Sequence, residues 1–132
     1  MDSRDQAPLT IAVFEARPRW APELDRQFLD EDVQIRAVRR TRELLDAIEP
    51  GAAGLLVLDL EADPAACLVF LGRMHALGTG IPALVVVDRE AGDLEWAVRE
   101  LGATSVVDEY VPGHVLAATC RRMYHGGRPP SS

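Results

Sequence analysis

Lysine is absent from this 132-residue chain, and all 14 basic residues are arginine. Against 21 acids they leave a formal net charge of −7, which argues against nonspecific nucleic-acid binding. The missing lysine is not itself read as function. No apolar run approaches the ~20 residues of a membrane span. The first nine residues lack the apolar core of a secretory signal, so a cytoplasmic location is expected. The two cysteines, Cys67 and Cys120, have no metal-ligand spacing and fall in expected helices, which reads as buried reduced thiols. There is no glycine-rich phosphate loop, no nucleophile elbow and no His/Cys metal motif. An ordinary enzyme therefore has little support.

What is present is a set of short apolar runs ending in acids. Leu55-Leu56-Val57-Leu58 runs without a polar break into Asp59, between Gly54 and the Asp63-Pro64 pair. Such a run reads as a strand buried on both faces, as inside a parallel sheet. Its carboxyl end opens into the crevice where open α/β sheets place their ligands. Asp59 sits at that end.

Taken in order, residues 1–9 are expected to be disordered. Thr10 to Phe14 is a second buried strand, ending in Glu15-Ala16-Arg17-Pro18. From Trp20 the apolar stripe Leu24, Phe28, Leu29 predicts a first helix. Val33 to Ala37 alternates, as a strand near the sheet edge does. Thr41 offers an N-cap, Leu44, Leu45 and Ile48 a buried stripe, and Pro50-Gly51 a stop. After the central strand, Asp63 caps a third helix with Pro64 at its first position; Leu68, Leu71, Met74 and Leu77 face inward and Gly78 ends it. Ile81 to Val87 is a fourth strand closing on Asp88. A fourth helix holds Leu94, Ala97, Val98 and Leu101 and stops at Gly102. Thr104 to Val107 is the shortest strand. Pro112-Gly113 then opens a fifth helix with Val115, Leu116, Thr119 and Met123 inward, and residues 126–132 form a flexible tail.

Five strand–helix units of about 24 residues have the spacing of βαβ repeats. Right-handed crossovers then give one α/β domain over residues 10–125. It is a doubly wound, three-layer αβα sandwich with a five-stranded parallel sheet in the order 2-1-3-4-5. That order sets the ends of the Glu15 and Asp59 strands side by side at the switch point.

At these residues the sequence resembles the receiver domain of bacterial response regulators, a flavodoxin-like fold, over nearly its whole length. Ile11 to Pro18 looks like the family's first strand, where apolar residues run into a pair of acids. Leu55 to Asp59 looks like its third, and Ile81-Pro82 and Gly102-Ala103 precede the fourth and fifth as is typical. The resemblance implies a two-component signalling module. In it the acid pair holds Mg²⁺, the central Asp accepts a phosphoryl group, and a Thr or Ser and a Lys hold that group. An aromatic on the fifth strand reports the event.

Here only the phosphoacceptor position, Asp59, matches. The acid pair is Glu15-Ala16, Val87 stands at the hydroxyl position beside Asp88, Val106 at the aromatic, and Glu109 at the lysine. A charge-assisted hydrogen bond is worth roughly 1.5–3 kcal/mol, and Glu109 is expected to set a like charge beside the phosphoryl group instead. The expectation is a degenerate receiver, or pseudo-receiver, that is not an enzyme. It would act as an interaction module, docking a signalling partner or a second copy through the face made by helix four, strand five and helix five. Two alternatives stay open. One is a single-domain response regulator phosphorylated at Asp59 by a histidine kinase; the other is a small-ligand-sensing regulatory domain of a transcription factor. No cofactor is expected, Mg²⁺ entering only if Glu15 and Asp59 still hold it. Neither direct nucleic-acid binding nor membrane attachment is expected.

Glu15, Asp59, Asp88 and Glu109 are candidates for a carboxylate cluster without a cation, against the plainer reading of acids splayed into water. His75 and His114 read as surface residues, and His125 as part of the tail. Trp20 and Trp96 read as packing residues. Arg39, Arg40 and Arg42 read as a solvated turn rather than a phosphate site.

Overall fold

The computed structural model describes residues 9–49 and 51–126. The expected disorder of residues 1–8 and the tail beyond 126 lie outside them, as does Pro50. The chain folds as β1 (Leu9–Phe14), α1 (Trp20–Gln27), β2 (Val33–Val38), α2 (Thr41–Ala47), β3 (Leu55–Asp59), α3 (Pro64–Leu77), β4 (Ala83–Val87), α4 (Glu95–Glu100), β5 (Ser105–Asp108) and α5 (Gly113–Gly126). Leu9, expected to be disordered, already pairs with Val33. All five strands are parallel, in the order β2-β1-β3-β4-β5. The sandwich predicted from the sequence is the one observed.

The alternation of strand side chains divides the interior into two cores. Ile11, Val13, Leu55, Val57, Leu84 and Val86 face α1 and α5, where they meet Trp20, Leu24, Phe28, Leu116 and Cys120. Ala12, Phe14, Leu56, Leu58, Val85 and Val87 face α2, α3 and α4, where they meet Leu44, Phe70, Leu71 and Val98. Residues 55–58 of β3 are wholly inaccessible, as a strand covered on both faces must be.

Local signals explain most helix ends. The Asp63 carboxylate accepts the Ala66 N–H at 3.0 Å, Pro64 follows it, and Gly78 ends α3 at φ 63° in the left-handed region. Thr41 is not the cap of α2 but its first helical residue. Glu43 does the capping, accepting the Arg39 and Arg40 N–H groups at 3.1 and 3.0 Å.

Several residues expected inside lie outside. Leu29 is exposed because α1 stops at Gln27 and the stripe cannot continue past it. Leu45, Leu77 and Val115 are exposed, with Ala47, Phe70 and Ala117 buried in their layers instead. Trp96 does not pack. Two 3₁₀ turns, Leu60–Ala62 and Arg89–Leu94, precede α3 and α4. The second shortens α4 to six residues and leaves Trp96 71% exposed.

Candidate functional site

The strand ends form a rim, and the alternation of β1 and β3 decides where their acids point. Glu15 continues the Ile11–Val13 series and Asp59 the Leu55–Val57 series, so both are directed to the α1/α5 side. Glu15 is 1% exposed. Its Oε1 accepts the N–H groups of Arg19 (3.1 Å) and Trp20 (2.7 Å), and its Oε2 accepts that of Ala21 (3.0 Å). The opening turn of a helix leaves such donors without intrahelical partners. The next residue, Pro22, has no N–H to satisfy. Glu15 therefore clamps the start of α1, a task the sequence reading did not give it.

Asp59 is only half-buried. Its Oδ1 accepts the Glu61 N–H at 3.1 Å and its Oδ2 accepts the indole N–H of Trp20 at 3.2 Å. Burial pushes its carboxyl above the usual range; the two hydrogen bonds pull the other way, and the charges of Glu61 and Glu15 push up again. Trp20 is the functional residue that sequence reasoning missed. It packs, as expected, but its position at the first turn of α1 also lays its polar edge on β3.

The Arg19 guanidinium lies over the Trp20 ring, 4.0 Å from its centroid, and its Nη2 donates to the Glu109 carbonyl oxygen. Arg17 and Arg19 share with Asp59, Glu61 and Ala62 a cleft of about 550 Å³. Among the described residues no guanidinium bonds to the Asp59 carboxylate.

Beyond that Arg19 bond, the β4–β5 half of the rim has contacts of its own. Val87 is buried in the α2–α4 core and Val106 is half-buried against it, so both apolar replacements are absorbed by packing. Glu109 does not turn its charge on Asp59. Its Oε2 accepts the Arg89 N–H at 2.7 Å and its own N–H donates to the Val87 carbonyl at 3.1 Å. Asp88 Oδ1 is buried without a hydrogen-bond partner among the described residues.

The four rim carboxylates thus do not converge. Glu15 and Asp59 are neighbours, while Asp88 and Glu109 belong to the loops beyond β4 and β5. No group of three or more His, Cys, Asp or Glu among the described residues is placed to hold a metal ion. The residues do not fit the Mg²⁺ site that the resemblance implies: Ala16 offers no oxygen, and the Glu15 oxygens are held by backbone donors.

The remaining candidates lie away from the rim chemistry. His75 and His114 are exposed, and the side chain of His125 lies outside the described residues. Arg39, Arg40 and Arg42 are exposed. Cys67 and Cys120 are buried free thiols, both pushed up to about 12 by burial, with the Asp63 and Asp59 charges adding to the effect at Cys67. No helix among the described residues is long and apolar enough to cross a membrane.

No family model matches this sequence, and no curated protein matches it. Solved structures do. The receiver domain of the TMAO respiratory system response regulator TorR superposes with a TM-score of 0.79 at 16% identity, over 92% of this chain and 100% of that one. A response regulator receiver protein from Pseudoalteromonas atlantica gives 0.76 at 12% identity, over 90% and 99%. Full-length FixJ from B. japonicum gives 0.78 at 20% identity, over 91% of this chain but 59% of its own. The chain has the fold of the response regulator receiver domains.

Proposed function

We propose that this chain is an atypical receiver domain that works as a protein-interaction module in signalling, is not switched by conventional aspartyl phosphorylation, and is not an enzyme. One observation carries the reading. The Asp59 carboxylate is held by an indole N–H and a backbone N–H, with no cation or hydroxyl bonded to it among the described residues. A phosphoryl group would add about −1.5 to −2 charge there and would need partners of the opposite sign. The Glu15 clamp supports the same reading, since an acid that fastens α1 is poorly placed to serve a metal.

The partner is a signalling protein or a second copy of the chain, docking on the face of α4, β5 and α5. Exposed Trp96 and Tyr110 offer aromatic anchors on or beside that face. A cytoplasmic location belongs to the same reading. The test is incubation with Mg²⁺ and acetyl phosphate or beryllofluoride, followed by mass spectrometry and amide spectra. No stable adduct is expected. Stable modification of Asp59 with a conformational change overturns the proposal in favour of a phosphoacceptor served by a histidine kinase. The cleft beside Arg17 favours a small-ligand sensor as the second reading, which a ligand-dependent rise in Tm would support.

A further inference from the structure

Five contacts run in sequence from Asp59 to the outside of the molecule. The Asp59 carboxylate accepts the Trp20 indole N–H at 3.2 Å, and the Arg19 guanidinium lies 4.0 Å from the centroid of that indole. Arg19 donates to the carbonyl of Glu109, whose carboxylate accepts the Arg89 N–H at 2.7 Å. Beyond it the Arg89 guanidinium lies 5.7 Å from the ring of Tyr110, a side chain 67% exposed. The start of the series is anchored, because the Trp20 backbone N–H is fixed to buried Glu15 at 2.7 Å. A planar ring held at its backbone and at its polar edge has few ways to move except by tilting. A tilt moves the cation resting on its face.

We infer that Trp20 and Arg19 are positioning residues that carry the state of the Asp59 carboxylate to the β5–α5 loop and its exposed Tyr110. The inference deepens the reading above and rests on it for the α4–β5–α5 face, beside which Tyr110 lies, being the docking surface. Whatever occupies or neutralises Asp59 alters the acceptor seen by the indole, and the effect arrives at the Glu109 carbonyl through Arg19. The link leaves the sheet interior unaltered. It joins the loop after β1 to the loop after β5 across the top of β3 and β4.

The test uses amide spectra of the whole chain and no phosphoryl donor. Asp59→Asn replaces one acceptor oxygen by a donor, so the amide cannot satisfy the indole and the Glu61 N–H together. In the natural background this change is expected to shift the Glu109 and Tyr110 amide signals. In a Trp20→Phe background, which keeps a ring but removes its N–H, the same change is expected to leave those signals where they are. Arg19→Met, at an exposed position, is expected to abolish the response as well, and carries the test should the Trp20 variant fold poorly. Full response in both backgrounds, or none in the natural one, overturns the linkage. Such a result overturns the linkage alone, whereas an Asp59–beryllofluoride adduct overturns the reading above alone.

Discussion

The acids that end β1 and β3 stand on adjacent strands, face the same layer, and meet opposite fates. Glu15 is completely enclosed and receives three backbone N–H groups at the start of α1. Asp59 is half-enclosed and receives two donors, one an indole. The difference teaches that burial alone does not set the worth of a carboxylate; the supply of fixed donors does. Glu15 is a structural fastening, while Asp59 is held less fully and opens on a cleft.

That contrast is broken most directly at Glu15. Glu15→Ala leaves three N–H groups of α1 without their acceptor, and about 3 kcal/mol of stability should be lost in urea unfolding. A loss below about 1 kcal/mol would show that water replaces the carboxylate and that the clamp is dispensable. Trp20→Phe comes next, at about 1–2 kcal/mol, from a smaller ring and the lost hydrogen bond. It should also push the Asp59 carboxyl higher still, because one of the interactions that lowers it disappears. A ¹³C titration of the Asp59 carboxyl measures this, and an unmoved midpoint would refute the contact.

The pH dependence sharpens the comparison. The folded state holds a proton on Asp59 more tightly than the unfolded chain, whose ordinary value is 3.8. As pH rises from that value through the higher folded one, the folded state is the one carrying the extra proton, so the Asp59 contribution to stability falls. That component of the slope should be missing in Asp59→Asn, while the opposite contributions of Glu23 and Glu43, whose carboxyls are held low by hydrogen bonds, remain. The smallest effect belongs to the far surface. Trp96→Ser should change monomer stability by less than about 0.5 kcal/mol. It should nonetheless weaken docking on the α4–β5–α5 face, measured by sedimentation of the chain alone and with its partner.

The fold was legible because its information is carried by period and punctuation. Unbroken apolar runs at Leu55–Leu58 and Ala83–Val87, too short for helices and flanked by Gly or Pro, read as strands covered twice, and Asp63-Pro64 and Gly78 mark the limits of α3. The misread positions sit where a stripe outlives its helix. Leu29 keeps the i, i+4 spacing of α1 but follows its end, and Trp96 is displaced by a 3₁₀ turn that no residue pattern announced.

For the candidate site, the places of the residues at the strand ends were legible and their contacts were not. Asp59, Val87 and Glu109 stand where their strands end, but residue type could not tell that Glu109 turns toward the Arg89 N–H. The tasks of Glu15 and Trp20 had a signal in the alternation of β1 and β3, since residues 11, 13 and 15 share a side with 55, 57 and 59. Reading that parity through to the strand ends would have placed both acids against the first turn of α1.

The inaccessible middle of β3 has one more consequence. Because residues 55–58 are locked between two layers, the loops at the strand ends can be re-equipped while the interior keeps its shape. A threonine grafted at Val87, an aspartate at Ala16 and a lysine at Glu109 would ask the scaffold for a hydrogen-bond partner to one newly buried hydroxyl and new tips on two loops. The scaffold's tolerance for such refitting explains how chains sharing under a quarter of their residues keep one architecture.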